Sequence, residues 1–449
     1  FLKKMNRLLI KDIIIINEGI KTSGDIYVEG EFIKKIGFNL KLGKGIKIID
    51  GKGCLAIPGM IDDQVHFREP GLTHKGDITT ESKAAIAGGV TSYFEMPNTF
   101  PNTTSRKEFK KKMQIASKNS FANFSFMFGG TNDNIDEIKN LDDKEVAGIK
   151  LFLGSSTGKM LIDNKDSIEN IFNSTSLPIS AHCEDEQTIK DNTEYFKNLY
   201  GEDIPISAHP KIRNDKACLK SSSFAVKLAK KTGARLNVFH ISTAIELNLF
   251  DNSMELNDKK ITSEVCAHHL WFTDEDYNEF GSKIKWNPAI KSKNDRDSLW
   301  EALKDNKIDI IASDHAPHTI EEKSNKYLSC PSGGPMVQHT ILSLLQNCKK
   351  YGVSHEKIVE KIAHNPATIF KVNKRGFLRE GYYADIVLID TNTPTHVTKE
   401  SLLYKCRWSP FEGQKFDNSI YKTILNGNVV YENGKVNSIP YGKKITFNR

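Results

Sequence analysis

In the stretch PGMIDDQVHFREPG, at positions 58–71, a short apolar run is followed by a cluster of polar and ionisable side chains that could do chemistry. Side chains at i, i+2 and i+4 of a β-strand share one face, so Gln64, His66 and Arg68 are predicted to face the same way. A neutral imidazole can ligate a metal ion, while a guanidinium binds a planar carboxylate through two parallel hydrogen bonds. The alternative is a hairpin turn with solvated charges, since Glu-Pro-Gly is ordinary turn chemistry. This stretch alone leaves both interpretations open.

Further chemistry-bearing residues lie in or directly after later apolar runs: Asn98, Lys150, His182, His240, Asp314 and His318. A single histidine at a strand end is more often structural than a ligand. Several imidazoles and a carboxylate on separate strands, however, favour a shared site for a zinc-like cation with open coordination positions. Hydrolytic metal chemistry needs such a site, so zinc is the expected metal.

Lys150, within GIKLFLG, is the unusual member of this set. An ammonium group cannot ligate a metal ion and is costly to bury among cations. It could be the partner of a buried carboxylate. Alternatively, its desolvated, neutral amine could react with CO₂ to form a carbamate, an anion able to bridge two metal ions. The residues themselves leave both alternatives open.

Eight apolar, β-rich runs in the middle of the chain must position these residues, and helical patterns lie between them. Apolar residues spaced by three and four predict helices at Ile78–Ala87 and 217–231, for example. Strands and helices alternating over about 310 residues predict a (β/α)8 TIM barrel of the α/β class, with its active site where the strands end. The predicted strands are 60–67, 91–96, 123–128, 147–153, 177–182, 236–241, 261–267 and 308–314.

Short β-rich runs separated by Gly and Asn turns occupy both ends of the chain, such as DIYVEG near the N-terminus and ADIVLID near the C-terminus. They predict one small β-sandwich domain built from both termini. The predicted organisation is residues 1–56 as the N-terminal part of the sandwich, 57–370 as the barrel, and 371–449 as the C-terminal part.

Composition argues against several classes of protein. The chain has 449 residues and is 38% hydrophobic, which suffices for a large core, and its net charge of +7 comes without a Lys/Arg tract interleaved with aromatics. Nucleic-acid binding is therefore disfavoured. Seven cysteines without a C-x-x-C pair argue against a disulfide framework and a Cys-ligated zinc, and favour a reducing cytoplasm. Lys11 and Asp12 interrupt the apolar run near the N-terminus, so neither a signal sequence nor a membrane span is predicted.

Seven motifs, in their order and spacing, resemble those of the dihydroorotases in the amidohydrolase superfamily. They are DQVHFREPG, EMPNT, GIKLFLG, SAHCED, FHIST, EVCAHHLWF and SDHAPHTIEEK, and the resemblance extends over nearly the whole chain. It implies an enzyme that reversibly cyclises N-carbamoyl-L-aspartate to (S)-dihydroorotate and water in de novo pyrimidine (UMP) biosynthesis. A cytoplasmic homo-oligomer, a dimer or a tetramer, is expected with it.

The resemblance also implies roles for individual residues. It implies five metal ligands: His66, Lys150, His182, His240 and Asp314. A CO₂-derived carbamate on Lys150 would bridge two ions, and Asp314 would double as general base and acid. The substrate α-carboxylate would be bound by Arg68, Asn98 and His318. The pyrimidine ring would contact Asn287-Pro288 and the loop 331–335.

Three residues near these motifs are predicted to be structural. Cys183 has no neighbouring base in the sequence that would mark it as a nucleophile. His268 and His269 follow the seventh strand, but the implied ligand set is already filled without them.

Gln64 departs from the family pattern H-x-H, in which its position is the first histidine. An amide oxygen is a weaker ligand for zinc than an imidazole nitrogen. The position served by Lys150, His182 and His240 keeps two imidazoles and an anion, so one tight zinc is expected there. The second position, served by the same carbamate with His66 and Asp314, is expected to hold a weaker metal.

Two alternatives to a dihydroorotase are considered. The first is another cyclic amidohydrolase, namely a hydantoinase, dihydropyrimidinase or allantoinase. Arg68 disfavours it, because allantoinases look to carry Asn at this position and dihydropyrimidinases need no carboxylate clamp. The second is a non-catalytic dihydroorotase-like scaffold for a partner such as aspartate transcarbamoylase, which Gln64 alone supports. The five implied ligands disfavour it, since inactive relatives usually lose several together.

Overall fold

The computed structural model describes residues 6–154 and 160–449, and its strands form a barrel, a terminal sheet and a small two-stranded sheet. In chain order the strands are β1 (Arg7–Asn17), β2 (Ile20–Glu29), β3 (Phe32–Gly37), β4 (Lys47–Asp50), β5 (Leu55–Pro58), β6 (Met60–Val65), β7 (Val90–Glu95), β8 (Asn123–Gly129), β9 (Gly148–Phe152), β10 (Ile179–His182), β11 (Leu236–Val238), β12 (Ile261–Cys266), β13 (Ile310–Ala312), β14 (Ile386–Asp390), β15 (Thr395–His396), β16 (Lys415–Phe416), β17 (Ser419–Leu425), β18 (Asn428–Glu432) and β19 (Lys435–Val436).

The α-helices lie mostly between the barrel strands and cover their outer faces. They are α1 (Ile78–Ala87), α2 (Arg106–Asn119), α3 (Ile135–Lys139), α4 (Lys165–Ser174), α5 (Glu186–Tyr200), α6 (His209–Ile212), α7 (Asp215–Thr232), α8 (Ala267–Trp271), α9 (Tyr277–Phe280), α10 (Lys293–Lys304), α11 (Ile320–Lys323), α12 (Thr340–Cys348), α13 (His355–Val359) and α14 (Asn365–Ile369). Polar caps set several helix starts, as where the Asp77 side chain accepts a hydrogen bond from Thr80 N at the start of α1. Of the described residues, none belongs to a helix that is both long and apolar enough to cross a membrane.

Strands β6 to β13 pair in sequence order, all parallel, to form the predicted eight-stranded barrel. A parallel bridge between Val65 and His315 closes it, and His66 N donates to His315 O at 2.7 Å. The eight predicted strands are confirmed, but six of them are shorter than predicted, β11 and β13 by the most. Strands β11 and β13 end before His240 and Asp314, because the backbone at those two residues turns into a left-handed conformation.

A nine-stranded sheet joins the two ends of the chain, in the order β19-β18-β17-β14-β5-β1-β2-β3, with β4 paired to β1. The predicted small β-sandwich domain from both termini is thus confirmed, while its exact limits at 56 and 371 stay a prediction. A buried polar cluster joins this sheet to the barrel. Asp385 forms an ion pair with Arg375 and accepts hydrogen bonds from Asn123 Nδ2 and Asn426 N. Asn123 begins β8, so the terminal sheet contacts this strand at the end opposite to its carboxyl end.

Candidate active site

A small cavity lies at the carboxyl ends of the barrel strands. Parallel strands of a barrel bring their end residues to one rim, so residues far apart in sequence converge there. The cavity is lined by Gln64 and by eight of the nine site residues predicted from the sequence: His66, Arg68, Asn98, Lys150, His182, His240, Asn287 and Asp314. The ninth, His318, lies against Arg68 just behind the cavity wall.

Two pairs of potential ligand atoms face each other in this cavity. His182 Nδ1 lies 2.9 Å from His240 Nε2, and His66 Nε2 lies 3.4 Å from Asp314 Oδ1. Two ligands of one tetrahedral zinc, each about 2.0–2.1 Å from the ion, stand about 3.3 Å apart. Both observed separations are close to that value, so each pair could share an ion.

Lys150 and His240 carry buried polar atoms without a partner among the described residues. The Lys150 side chain, in β9, is buried against the ring of Phe239, with Nζ 4.0 Å from the ring centroid. Neither its Nζ nor His240 Nδ1 makes a hydrogen bond within the described part of the chain. Because buried polar atoms are nearly always satisfied, these two atoms are suited to a bound or covalently added group.

Burial controls the ionisation of the site. It lowers the pKa of Lys150 to about 8, against the opposing effect of Glu264, and raises the pKa of Asp314 to about 7. It also lowers the pKa of His66, His182 and His240 below the ordinary range for imidazole. The three imidazoles are therefore neutral at pH 7, as metal ligands must be, and part of the Lys150 amine is neutral near pH 8.

Three residues of the site have left-handed backbone conformations: Arg68 with φ 70°, His240 with φ 42° and Asp314 with φ 44°. Such conformations cost non-glycine residues roughly 1–3 kcal/mol each and cluster at functional sites. Each lies within three residues of the end of a barrel strand. The turn ends the strand, so the side chain no longer follows the alternation of side chains between the two faces of the strand and can line the cavity.

Arg68 forms the cationic end of the cavity. Its side chain is almost fully buried, Nε donates to Pro317 O at 3.0 Å, and Nη2 lies 3.0 Å from His318 Nε2. Burial lowers the pKa of Arg68 only to about 10, so the guanidinium stays charged at neutral pH. A buried guanidinium facing a cavity is suited to bind a carboxylate.

Asn98 contacts a predicted metal ligand directly. Its Oδ1 lies 2.8 Å from His66 Nδ1 and accepts the hydrogen bond from that nitrogen. The proton is therefore on Nδ1, and the lone pair is on Nε2, the nitrogen that faces Asp314. Asn98 thus orients His66 as well as lining the cavity.

Glu184 and Arg213, which the sequence analysis did not select, support His182 in the same way. Glu184 Oε2 lies 3.0 Å from His182 Nε2 and forms an ion pair with Arg213. Against the effect of burial, Arg213 and His182 hold the pKa of Glu184 at about 2. A carboxylate on the far nitrogen of a ligating imidazole fixes the ring and leaves the other nitrogen as the ligand. The motif SAHCED contained this signal, since Glu184 follows His182 by two residues.

The loop 331–335 covers the cavity through Ser332 and Gly333. Gly333 has φ 127°, and a Cβ there would lie 2.5 Å from Ala316 O, so only glycine fits this close approach. The buried Lys323 ammonium donates to Pro331 O at 2.9 Å and to Gly333 O at 2.8 Å. Sequence reasoning missed Lys323, although it ends the motif SDHAPHTIEEK.

Gln64 lines the cavity, and its Oε1 accepts a hydrogen bond from Cys266 Sγ at 3.7 Å. Cys266 also belongs to a buried group with His268 and His269, whose ligand atoms lie within 4.8 Å of one another. Burial raises the pKa of the Cys266 thiol well above its usual range, and His268 stacks on Trp286 with ring centroids 4.4 Å apart. The structural role of the two histidines stays a prediction. Cys183 packs in the core, as predicted.

Comparisons with known proteins give similarity over nearly the whole chain. Residues 55–430 match the amidohydrolase family. The chain is 33% identical over 392 residues to a dihydroorotase from Methanosphaera stadtmanae, covering 87% of this chain and 88% of the relative. It is also 33% identical over 441 residues to a dihydroorotase from Endomicrobium trichonymphae, covering 95% of this chain and 100% of the relative.

The fold is similar to that of a solved L-hydantoinase (dihydropyrimidinase) from Arthrobacter aurescens. The TM-score is 0.93 at 26% sequence identity, and the match covers 98% of this chain and 100% of that protein. The curated sequence relatives and this structural neighbour thus carry the names of two different enzymes.

Proposed function

The chain belongs to the amidohydrolase family, and on that premise we propose that it is a dihydroorotase. The proposed reaction is the reversible cyclisation of N-carbamoyl-L-aspartate to (S)-dihydroorotate and water, in pyrimidine biosynthesis. One observation carries the choice among cyclic amidohydrolases: a buried, charged Arg68 lines the same cavity as the potential metal ligands. The α-carboxylate is the group that separates this substrate from the neutral rings of hydantoin and dihydrouracil.

The proposal includes a divalent metal centre, with zinc as the preferred ion. The residues that would hold it are His66, Lys150 as a carbamate, His182, His240 and Asp314. Two facing pairs of ligand atoms, neutral imidazoles and the unpartnered Lys150 Nζ support this donor set. When bound, such an ion polarises an amide carbonyl and lowers the pKa of water toward about 7.

The chain's own residues divide the remaining work. Arg68 holds the α-carboxylate, which fixes the position of the ring amide relative to Asp314. In the hydrolytic direction, Asp314 accepts the proton of the attacking water and passes it to the departing ring nitrogen. A carboxylate held beside the reacting atoms can both accept and return a proton. The biosynthetic direction reverses these steps.

An assay of ring opening tests the proposal. The purified protein, supplied with zinc and bicarbonate, is incubated separately with dihydroorotate, hydantoin and dihydrouracil, and the open-chain products are quantified. We expect kcat/KM for dihydroorotate to exceed that for the neutral rings at least about 100-fold, because a guanidinium that binds a carboxylate discriminates by about this factor against a ring that lacks one. Preferential turnover of a neutral ring would make the protein a hydantoinase or dihydropyrimidinase. No turnover of any of the three would favour the scaffold alternative.

Gln64 leads to a prediction about metal stoichiometry. Because an amide oxygen binds zinc less well than an imidazole, the position of His66 and Asp314 is expected to hold its ion less tightly than the position of His182 and His240. Elemental analysis after mild chelation should find one zinc per chain in the native protein and two in a Gln64→His variant. Equal retention of two zincs by both proteins would contradict this prediction.

Two further parts of the proposal concern the whole protein. We propose that it is a homo-oligomer, a dimer or a tetramer, and that it works in the cytoplasm. Light scattering on the purified protein measures the first of these.

A further inference from the structure

His318 is surrounded by polar groups that determine which of its ring nitrogens carries the proton. Its side chain is fully buried, with Lys75 Nζ 3.0 Å from Nδ1. On the other side of the ring, Nε2 lies 3.1 Å from Ser332 O and 3.0 Å from Arg68 Nη2. Burial, together with Arg68 and Lys75, keeps the pKa of His318 well below its usual range, so the ring is neutral and one tautomer must be chosen.

These contacts favour the tautomer with the proton on Nε2. An ammonium group has only donors, so Lys75 must find a lone pair at Nδ1. The Nε2–H then donates to Ser332 O, and two of the three contacts are satisfied. In the other tautomer, Nδ1–H would face the ammonium and the Nε2 lone pair would face a carbonyl oxygen, so only the contact with Arg68 would be satisfied.

With the proton on Nε2, His318 cannot accept a hydrogen bond from Arg68, although Arg68 Nη2 lies 3.0 Å from that nitrogen. The Nη2 donor of Arg68, which lines the cavity, is then left to bind an oxygen of a carboxylate. In the other tautomer, His318 Nε2 would accept from Arg68 Nη2 and occupy a donor that a carboxylate needs.

Lys75 is itself held in place. It lies in the loop between β6 and α1, its side chain is only 11% exposed, and Nζ lies 2.9 Å from Glu322 Oε1. Glu322 also caps α11, because its Oε2 accepts from Thr319 N at 3.0 Å. The Glu322 Oε2 atom lies 3.6 Å from His318 Nδ1, just beyond hydrogen-bond distance, so a small shift would let it accept a hydrogen bond from Nδ1–H if Lys75 were absent.

We propose that Lys75 is a positioning residue that fixes His318 in the Nε2–H tautomer, so that His318 donates to Ser332 O and leaves the Nη2 donor of Arg68 to the substrate carboxylate. This inference rests on the proposed function for the identity of the ligand. Lys75 does not touch the reacting atoms. Its removal therefore acts on the binding of the carboxylate and leaves the chemical step in place.

The test compares Lys75→Met, Lys75→Arg and His74→Ala with the native protein. In Lys75→Met, Nδ1–H can donate to Glu322, so KM for dihydroorotate is expected to rise about 10- to 100-fold through loss of one charge-assisted contact, while kcat changes less than about threefold. Lys75→Arg keeps a cationic donor and should restore much of the binding. His74 is the matched control, because its exposed side chain lies 3.4 Å from the same Glu322 but does not contact His318.

The tautomer is read directly from the ¹⁵N chemical shifts of the His318 ring in histidine-labelled protein, with a His318→Gln variant for assignment. We expect a protonated Nε2 in the native protein and in His74→Ala, and a shift of the proton to Nδ1 in Lys75→Met. Binding of orotate, measured by calorimetry, should weaken in parallel with KM.

A native protein with the proton on Nδ1 would overturn the inference, whether or not any variant folds. So would a Lys75→Met protein that loses thermal stability but keeps the native tautomer and KM, since Lys75 would then be only a structural support. The proposed function fails separately, if the native protein does not open dihydroorotate. The tautomer and the binding of orotate would still be measurable in that case.

Discussion

Replacing Lys150 with alanine is expected to lower kcat for dihydroorotate at least about 1000-fold, a loss of about 4 kcal/mol of transition-state stabilisation. The reason is that a carbamate on Lys150 would supply an anion to the proposed metal centre. Without it, the remaining imidazoles and one carboxylate would hold the ions less tightly. Zinc content by elemental analysis should fall in parallel with activity, and acetate or propionate should restore part of both by supplying a carboxylate in the same space.

A second lysine provides the control for this experiment. Lys259 is also buried, but its ammonium is paired with Asp309 at 2.7 Å, near the start of β13 and away from the cavity. Lys259→Ala should lower thermal stability, because it leaves a buried carboxylate unpaired, yet retain the metal and not respond to acetate. A crystal structure of the active protein with an unmodified Lys150 amine and full metal occupancy would contradict the prediction.

Arg68→Met is expected to raise KM for dihydroorotate by two to four orders of magnitude, about 3–6 kcal/mol for two charge-assisted hydrogen bonds. Methionine has a similar length, so the cavity keeps its volume while losing its positive charge. Zinc content should be unchanged, because Arg68 donates to Pro317 O and approaches His318 but is not among the potential metal ligands. Steady-state kinetics and elemental analysis on the same preparation measure both quantities.

Arg235→Met is the matched control, since Arg235 donates to Ile369 O just before β11, at the opposite end of that strand from His240. It removes a half-buried guanidinium of the same size from a place outside the cavity. If Arg68→Met and Arg235→Met had the same KM for dihydroorotate, the carboxylate clamp and the choice of substrate would both be wrong.

The amino-acid sequence by itself determined the architecture and most of the residues of the cavity. Apolar, β-rich runs identified all eight barrel strands, and caps such as Asp77 fix helix starts locally. Because a barrel brings its strand ends to one rim, placing His66, His182 and Asp314 at those ends and Lys150 within a strand between them was enough to predict that they meet. The motifs contributed the chemistry, since residue type and spacing along a strand are local properties.

Only the tertiary structure decided how these residues are held. The left-handed backbones of Arg68, His240 and Asp314 have no sequence signal, because they are imposed by neighbouring elements and not by local propensity. Glu184 was visible in its motif, but its ion pair with Arg213 joins positions 29 residues apart. The contact of Lys75 with His318 spans 243 residues. The residues that support an active site are brought together by folding. Burial then makes each of their contacts strong enough to fix the position of a proton or of a ring. The spacing of residues along one strand cannot reveal such contacts.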